Sequence, residues 1–141
     1  MTPSFAQIEG KGIFCSLEDA SDEIKSSIID DFNLSGIDIR DLKLSMLFKE
    51  GKVKAFLPVI ENDLISFYEG DEKENYELTA DKIIIGEDVL LDRKTLIFTS
   101  KNVGSLQCEV VNSELEFDKE MERIRLGLQA DYDRLREGNR I

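Results

Sequence analysis

Leu42-Lys-Leu-Ser-Met-Leu-Phe-Lys-Glu-Gly-Lys-Val-Lys-Ala-Phe-Leu-Pro-Val-Ile60 is the stretch that decides the fold. Leu42, Leu44, Met46 and Phe48 alternate with Lys43, Ser45 and Lys49, and Val53, Ala55, Leu57 and Val59 alternate with Lys52, Lys54 and Pro58. A period of two is the mark of strands with one buried face. Folding the chain at Glu50-Gly51 sets Phe48 opposite Val53, Met46 opposite Ala55, Leu44 opposite Leu57 and Leu42 opposite Val59. That single register buries one whole face. Gly51 supplies the positive φ of a two-residue turn, whereas Glu50 is a poor first residue for it. Pro58 has no N–H to give a ladder, so the second strand is an edge, or irregular, at that point.

On the N-terminal side, Gly10-Lys11-Gly12 lacks the spacing of a phosphate loop and reads as a turn into a short strand, Ile13-Phe14-Cys15. Ser16 as a cap, Glu18 and Asp19 in the first turn, and Leu17, Ala20, Ile24, Ile28 and Phe32 at spacings of three and four predict a helix over 16–33. Its apolar stripe is expected to pack on a sheet. Asp31-x-Asn33-x-Ser35-Gly36 matches the first half of a calcium loop, but Asp38 and Leu42 stand where an aliphatic residue and a bidentate Glu should be. No metal site is therefore expected. Ile37 and Ile39 alternate on odd positions and the hairpin on even ones, which predicts a bulge or break at Arg40-Asp41.

Beyond the hairpin, Leu64 to Tyr68 reads as a strand and Glu69 to Tyr76 as an exposed acidic loop. Lys82–Ile85, Val89–Leu91, Thr95–Thr99 and Leu106–Val111 follow as short strands separated by turn residues. The fold class these elements predict is α+β: a mostly antiparallel sheet, a meander with strands within 37–111, an N-terminal helix packed on it and a long C-terminal amphipathic helix. Residues 1–112 form the core domain, and 113–141 are a helix of the same domain or one projecting from it for assembly.

That last helix opens with a capping box, Ser113-x-x-Glu116, with acids at its start and Arg134, Arg136 and Arg140 at its end. Phe117, Met121, Ile124, Leu128, Tyr132 and Leu135 fall on one stripe of roughly 80° at 100° per residue, nearer a coiled-coil seam than a core-facing surface. The stripe is the predicted partner-binding surface. From Ser113 to Gly138 the helix would run ~39 Å, about the diameter of the whole domain. Gly127 costs about 1 kcal/mol relative to Ala in mid-helix and marks close contact or a weak point.

Composition bounds function. The chain of 141 residues has no His and no Trp, which removes Ser-His-Asp and Cys-His catalysis and His-ligated zinc. No catalytic pair stands out among 30 acids, so no enzyme and no cofactor is expected. Net charge is −12, and residues 61–92 alone carry 11 acids against 2 bases, −9. Such a balance disfavours nucleic acid, which demands a basic footprint, and suits a basic protein partner. No apolar run reaches a membrane span and no signal peptide opens the chain, so a soluble cytoplasmic protein is expected. In that setting Cys15 and Cys108 are expected as two buried thiols.

These readings converge on a non-catalytic interaction or assembly protein (adaptor, chaperone or structural component) that oligomerises through its C-terminal helix. The order helix, strands, helix is similar to that of bacterial secretion chaperones, small phage assembly factors and immunity proteins, an analogy of fold alone. The alternative is an acidic inhibitor or nucleic-acid mimic that blocks a basic partner. Against it stand Lys43, Lys49, Lys52 and Lys54 beside Phe56, expected as a solvated outer face of the hairpin.

Overall fold

A computed structural model describes residues 8–71 and 73–138. In chain order these form β1 (Gly12–Ser16), α1 (Asp22–Asp31), a 3-10 turn (Ile39–Asp41), β2 (Lys43–Lys49), β3 (Lys52–Glu61), β4 (Leu64–Glu69), β5 (Glu74–Leu78), β6 (Lys82–Ile85), β7 (Val89–Asp92), β8 (Ile97–Ser100), β9 (Gly104–Val111) and α2 (Glu114–Glu137). The β2–β3 hairpin has the expected register near its turn, with Phe48 opposite Val53 and Met46 opposite Ala55, but the expected Leu44–Leu57 and Leu42–Val59 pairs do not form, because Leu57 and Val59 pair with Tyr68 and Ser66 of β4. Glu50 and Gly51 both take positive φ, 57° and 70°. The Glu9 carboxylate accepts the N–H groups of Glu50 (2.7 Å) and Gly51 (2.8 Å), which compensates for the poor turn residue. β3 leaves β2 at Phe56 and pairs with β4 from there to Glu61, so Pro58 stands where no β2 partner needs its N–H.

The sheet is not an open meander. β1 lies between β2 and β9, β5 to β9 run as antiparallel neighbours, and β5 returns to β3 through Lys52–Asn75 and Val53–Glu74. Of the nine strands among the described residues all but β4 therefore form a closed antiparallel barrel, and β4 hangs on the far half of β3. Closure removes the exposed edges that an open sheet would present. The mixed α+β class stands, but the open sheet is corrected: β3 is long enough to serve β2, β4 and β5 in turn. Inward positions alternate as pleating requires, and Ile13, Met46, Phe48, Tyr76, Leu91, Phe98 and Leu106 fill the interior, all buried. Tyr76 belongs to this core rather than to an acidic loop; its ring meets Phe48 edge-on and its hydroxyl donates to Glu9 at 2.6 Å.

The N-terminal helix begins later than the sequence suggests. Ser21, not Ser16, caps it, accepting from Ile24 N–H at 3.3 Å, because Asp22 and Glu23 then occupy the favourable first turn. Ser16 instead ends β1 and accepts from Glu18 N–H. Nor does α1 lie on a sheet face. It crosses the barrel end where β1 stops and β2 begins, held by Ser21 N–H to the Val103 carbonyl (2.9 Å) and Ile60 N–H to the Phe32 carbonyl (3.1 Å). Ile37 and Ile39 form no strand; the expected break is the 3-10 turn, with Leu42 buried beyond it.

Cys15 and Cys108 are buried as expected but joined rather than separate. β1 and β9 place them directly opposite, Cα atoms 4.0 Å apart, and a disulfide links them. No helix among the described residues is long and apolar enough to cross a membrane.

Candidate functional site

The C-terminal helix forms as its sequence dictates. Ser113 caps it, accepting from Glu116 N–H (3.1 Å), and Glu116 reaches back to Asn112 N–H (2.9 Å). Its 24 residues span about 36 Å. The helix lies along the outside of the barrel. Phe117 stacks on Phe14 of β1 (centroids 5.1 Å) and tilts against Phe56 of β3 (5.9 Å), over the bare backbone of Gly12. Lys49 of β2 meets Glu114 at 3.0 Å. The basic hairpin face with Phe56, expected in solvent, is thus part of the seat of the helix.

Phe117, Met121, Ile124 and Leu128 are buried in this seat. Tyr132 is half-buried and donates its hydroxyl to Asp63 at 2.7 Å, while Leu135 is 47% exposed. Gln129 holds the free side of β4, accepting from Ile65 N–H at 2.7 Å and donating to the Asp63 carbonyl at 3.1 Å. The barrel's own outer face therefore occupies four residues of the stripe. What α2 leaves for a partner is its C-terminal half and the space beside it. Leu115 and Leu126, off the stripe, are exposed.

That space is a groove between α2 and the segment leading into β2. One part, about 260 Å³, is lined by Arg40, Asp41, Lys43, Arg123, Ile124, Gly127, Leu128 and Asp131. A second, about 370 Å³, continues from Asp41 and Asp131 to Gly36, Ile37, Arg134 and Leu135. Two carboxyls sit where the parts meet. Partial desolvation, the charge of Asp131 and a hydrogen bond with it push the Asp41 carboxyl above the ordinary aspartate value. Asp38, by contrast, is gripped by the Arg40 guanidinium, which holds it down to about 2. Arg134 pairs with Asp131 and Arg123 with Glu120. The groove thus has acids at its centre and cations along its sides, with Leu135 as its exposed apolar side chain; Ile37, Ile124 and Leu128 border it but are buried.

Gly127 opens onto this groove. A Cβ added there would meet nothing within 4 Å, so no close packing demands a glycine. Among the described residues no group of three or more His, Cys, Asp or Glu could hold a metal, and Asn33 of the calcium-like segment takes φ 61° and donates to the Ile60 carbonyl as a helix terminus. The signal for the groove was present only in part. Periodicity marked the stripe, but nothing in the linear order joins Asp41 to Asp131. No family model matches the chain, and no curated protein or solved structure is significantly similar to it.

Proposed function

We propose that the protein is a non-catalytic interaction protein that takes a basic, partly apolar segment of a protein partner into the groove beside α2. The observation that carries this is the Asp41–Asp131 pair. Asp131 already pairs with Arg134, whereas Asp41 beside it forms no salt bridge among the described residues and has its pKa raised by partial burial and by the charge of Asp131, which a lysine or arginine placed against Asp41 relieves. Gly127 supports the same reading: alanine would be about 1 kcal/mol better in mid-helix, and there is room for it. A larger side chain there would project into the groove. The net charge of −12 steers a basic partner toward the molecule from a distance.

Assembly then runs through the C-terminal half of α2, with Leu135 as its exposed apolar contact, rather than through the whole stripe. As for compartment, the Cys15–Cys108 bond fits an oxidising setting better than the cytoplasm expected from the sequence.

Selection from a random peptide-display library tests the proposal. Enriched peptides are expected to carry Lys or Arg next to an apolar residue and to bind the Asp41→Asn, Asp131→Asn variant about tenfold more weakly, the loss of two partly screened ion pairs. Peptides that bind wild type and variant equally, or no enrichment of basic peptides, overturn it.

A further inference from the structure

At the end of the barrel away from α1 lies a second site, independent of the groove. A cavity of about 180 Å³ descends between interior residues Ile13, Phe48, Ile83 and Leu91, with Leu96 and Val110 at its lip and Lys11, Arg93 and Asn112 as its polar rim. We propose that this mouth binds a small carboxylate with an apolar body, of the size of an aromatic acid or a short-chain fatty acid.

The size argument is direct, since an apolar protein cavity of roughly 150 Å³ accommodates a benzene ring. The deeper walls are nearly closed, Ile13, Phe48, Ile83 and Leu91 being 0–4% exposed, and entry is at the lip. Val110 pairs with Ile13 and shares the inward face of β9 with Leu106 and Cys108, which are 0% and 2% exposed. Yet Val110 is 43% exposed. An inward apolar side chain that remains accessible borders a space into which a ligand can enter. Leu96 is the second sign. It holds φ 58°, a left-handed conformation that costs a branched L-residue on the order of 1 kcal/mol. Its N–H donates to the Asp92 carbonyl and its own carbonyl accepts from Cys108 N–H, both at 2.9 Å, which fixes the leucine at the lip.

The charge argument gives the class of ligand. Among the described residues none that lines the mouth is acidic, in a chain with 30 acids and 18 bases. Arg93 is braced across the rim, its Nη1 donating to the Thr79 carbonyl at 2.7 Å and its backbone N–H to the Asp81 carbonyl at 2.9 Å. Of the carboxylates next to the lining in sequence, Glu9 is engaged by the hairpin turn amides and the Tyr76 hydroxyl, Asp92 by Lys82 and the N–H groups of Lys94 and Thr95, and Glu109 stands opposite Phe14 on the outward face. Apolar walls below a rim that offers the Lys11 ammonium and the Asn112 amide recognise a carboxylate through charge-assisted hydrogen bonds and its body through desolvation.

Titration of the ¹⁵N-labelled full chain with benzoate, using benzyl alcohol as the uncharged comparator, tests this. Saturable amide shifts are expected at Ile83, Leu96, Val110 and Asn112, with a Kd on the order of 1 mM for benzoate and about tenfold weaker for the alcohol. Lys11→Met is expected to abolish that tenfold preference without weakening the alcohol, and Val110→Phe to block both ligands with the remaining amide positions unchanged. Absence of saturable shifts at the mouth overturns the site. Equal binding of acid and alcohol, or an unaltered preference in Lys11→Met, overturns the carboxylate assignment.

Discussion

Gly12 and Phe117 should be energetically coupled with opposite signs in the two backgrounds. Phe117 is 2% exposed between Phe14 and Phe56, and removing such a ring costs about 3–5 kcal/mol. For 141 residues the whole stability is roughly 7–21 kcal/mol, so Phe117→Ala should leave a folded but weakened protein. A Cβ on Gly12 would overlap the same ring, with Cε2 at 3.0 Å and Cγ at 3.1 Å, and overpacking of this kind costs about 1–3 kcal/mol. In Phe117→Ala the ring is gone. Gly12→Ala then fills part of the cavity and stiffens a strand where glycine is unfavourable by roughly 0.5–1 kcal/mol. Alanine at position 12 should thus destabilise the wild type and stabilise the variant, a coupling of about 2–3 kcal/mol. Urea unfolding followed by far-UV circular dichroism measures all four corners. If Gly12→Ala costs the same with and without the ring, α2 does not sit on β1 and its stripe is free for a partner after all.

Three further outcomes follow from individual contacts. Glu9→Ala removes the acceptor of two turn N–H groups and of the Tyr76 hydroxyl, and should cost about 2–4 kcal/mol in urea unfolding. Burial opposes ionisation of Glu9, but its bonds from Tyr76, Gly51 and Glu50 prevail and lower its pKa. Its contribution is therefore present above the unfolded-state value of about 4.5 and lost as pH falls through the folded one, so the cost of Glu9→Gln should shrink in acid. The Asp41 carboxyl has the reverse sign. Its raised pKa makes the protein gain stability as pH falls toward the unfolded-state value of 3.8, and Asp41→Asn should remove that gain and raise the unfolding free energy at pH 7 by less than about 1 kcal/mol, because water screens the pair; urea unfolding at the two pH values measures it. Finally, the non-reduced, unfolded chain should show no titratable thiol, and reduction should lower stability by about 2–4 kcal/mol, since the bond closes a loop of 93 residues; two free thiols would contradict the joined pair.

Local order was legible in residues that carry their own geometry. The period of two gave the hairpin and its register from the turn to Ser45–Phe56, beyond which β3 pairs with β4 instead, and Ser113 with Glu116 gave the start of α2. Closure was not legible, because it rests on a two-residue overlap of Lys52 and Val53 with Asn75 and Glu74 that no periodicity announces. Ser16 and Ser21 are both plausible caps, and only the fall of the chain into β1 selects the second. The stripe of α2 was legible as apolar but not as spent. A narrow stripe can be sealed by a curved barrel as well as by a second helix, and the clue was the Lys-rich hairpin face beside Phe56 matched to the acidic start of the helix, as in Lys49–Glu114. The cysteines and the two groove aspartates are each brought together by strand register and helix docking, which linear spacing does not encode.

A photo-crosslinking residue at Gly127 tests the partner site most directly, because Gly127 lines the groove and a Cβ there meets nothing within 4 Å. In an extract of the native source, a single protein adduct is predicted at position 127, suppressed by a selected basic, apolar peptide, with none at the exposed Thr99 of β8 on the same chain. An adduct at position 99 and none at 127, or one at 127 that the peptide leaves untouched, would contradict the groove as the place where a partner binds.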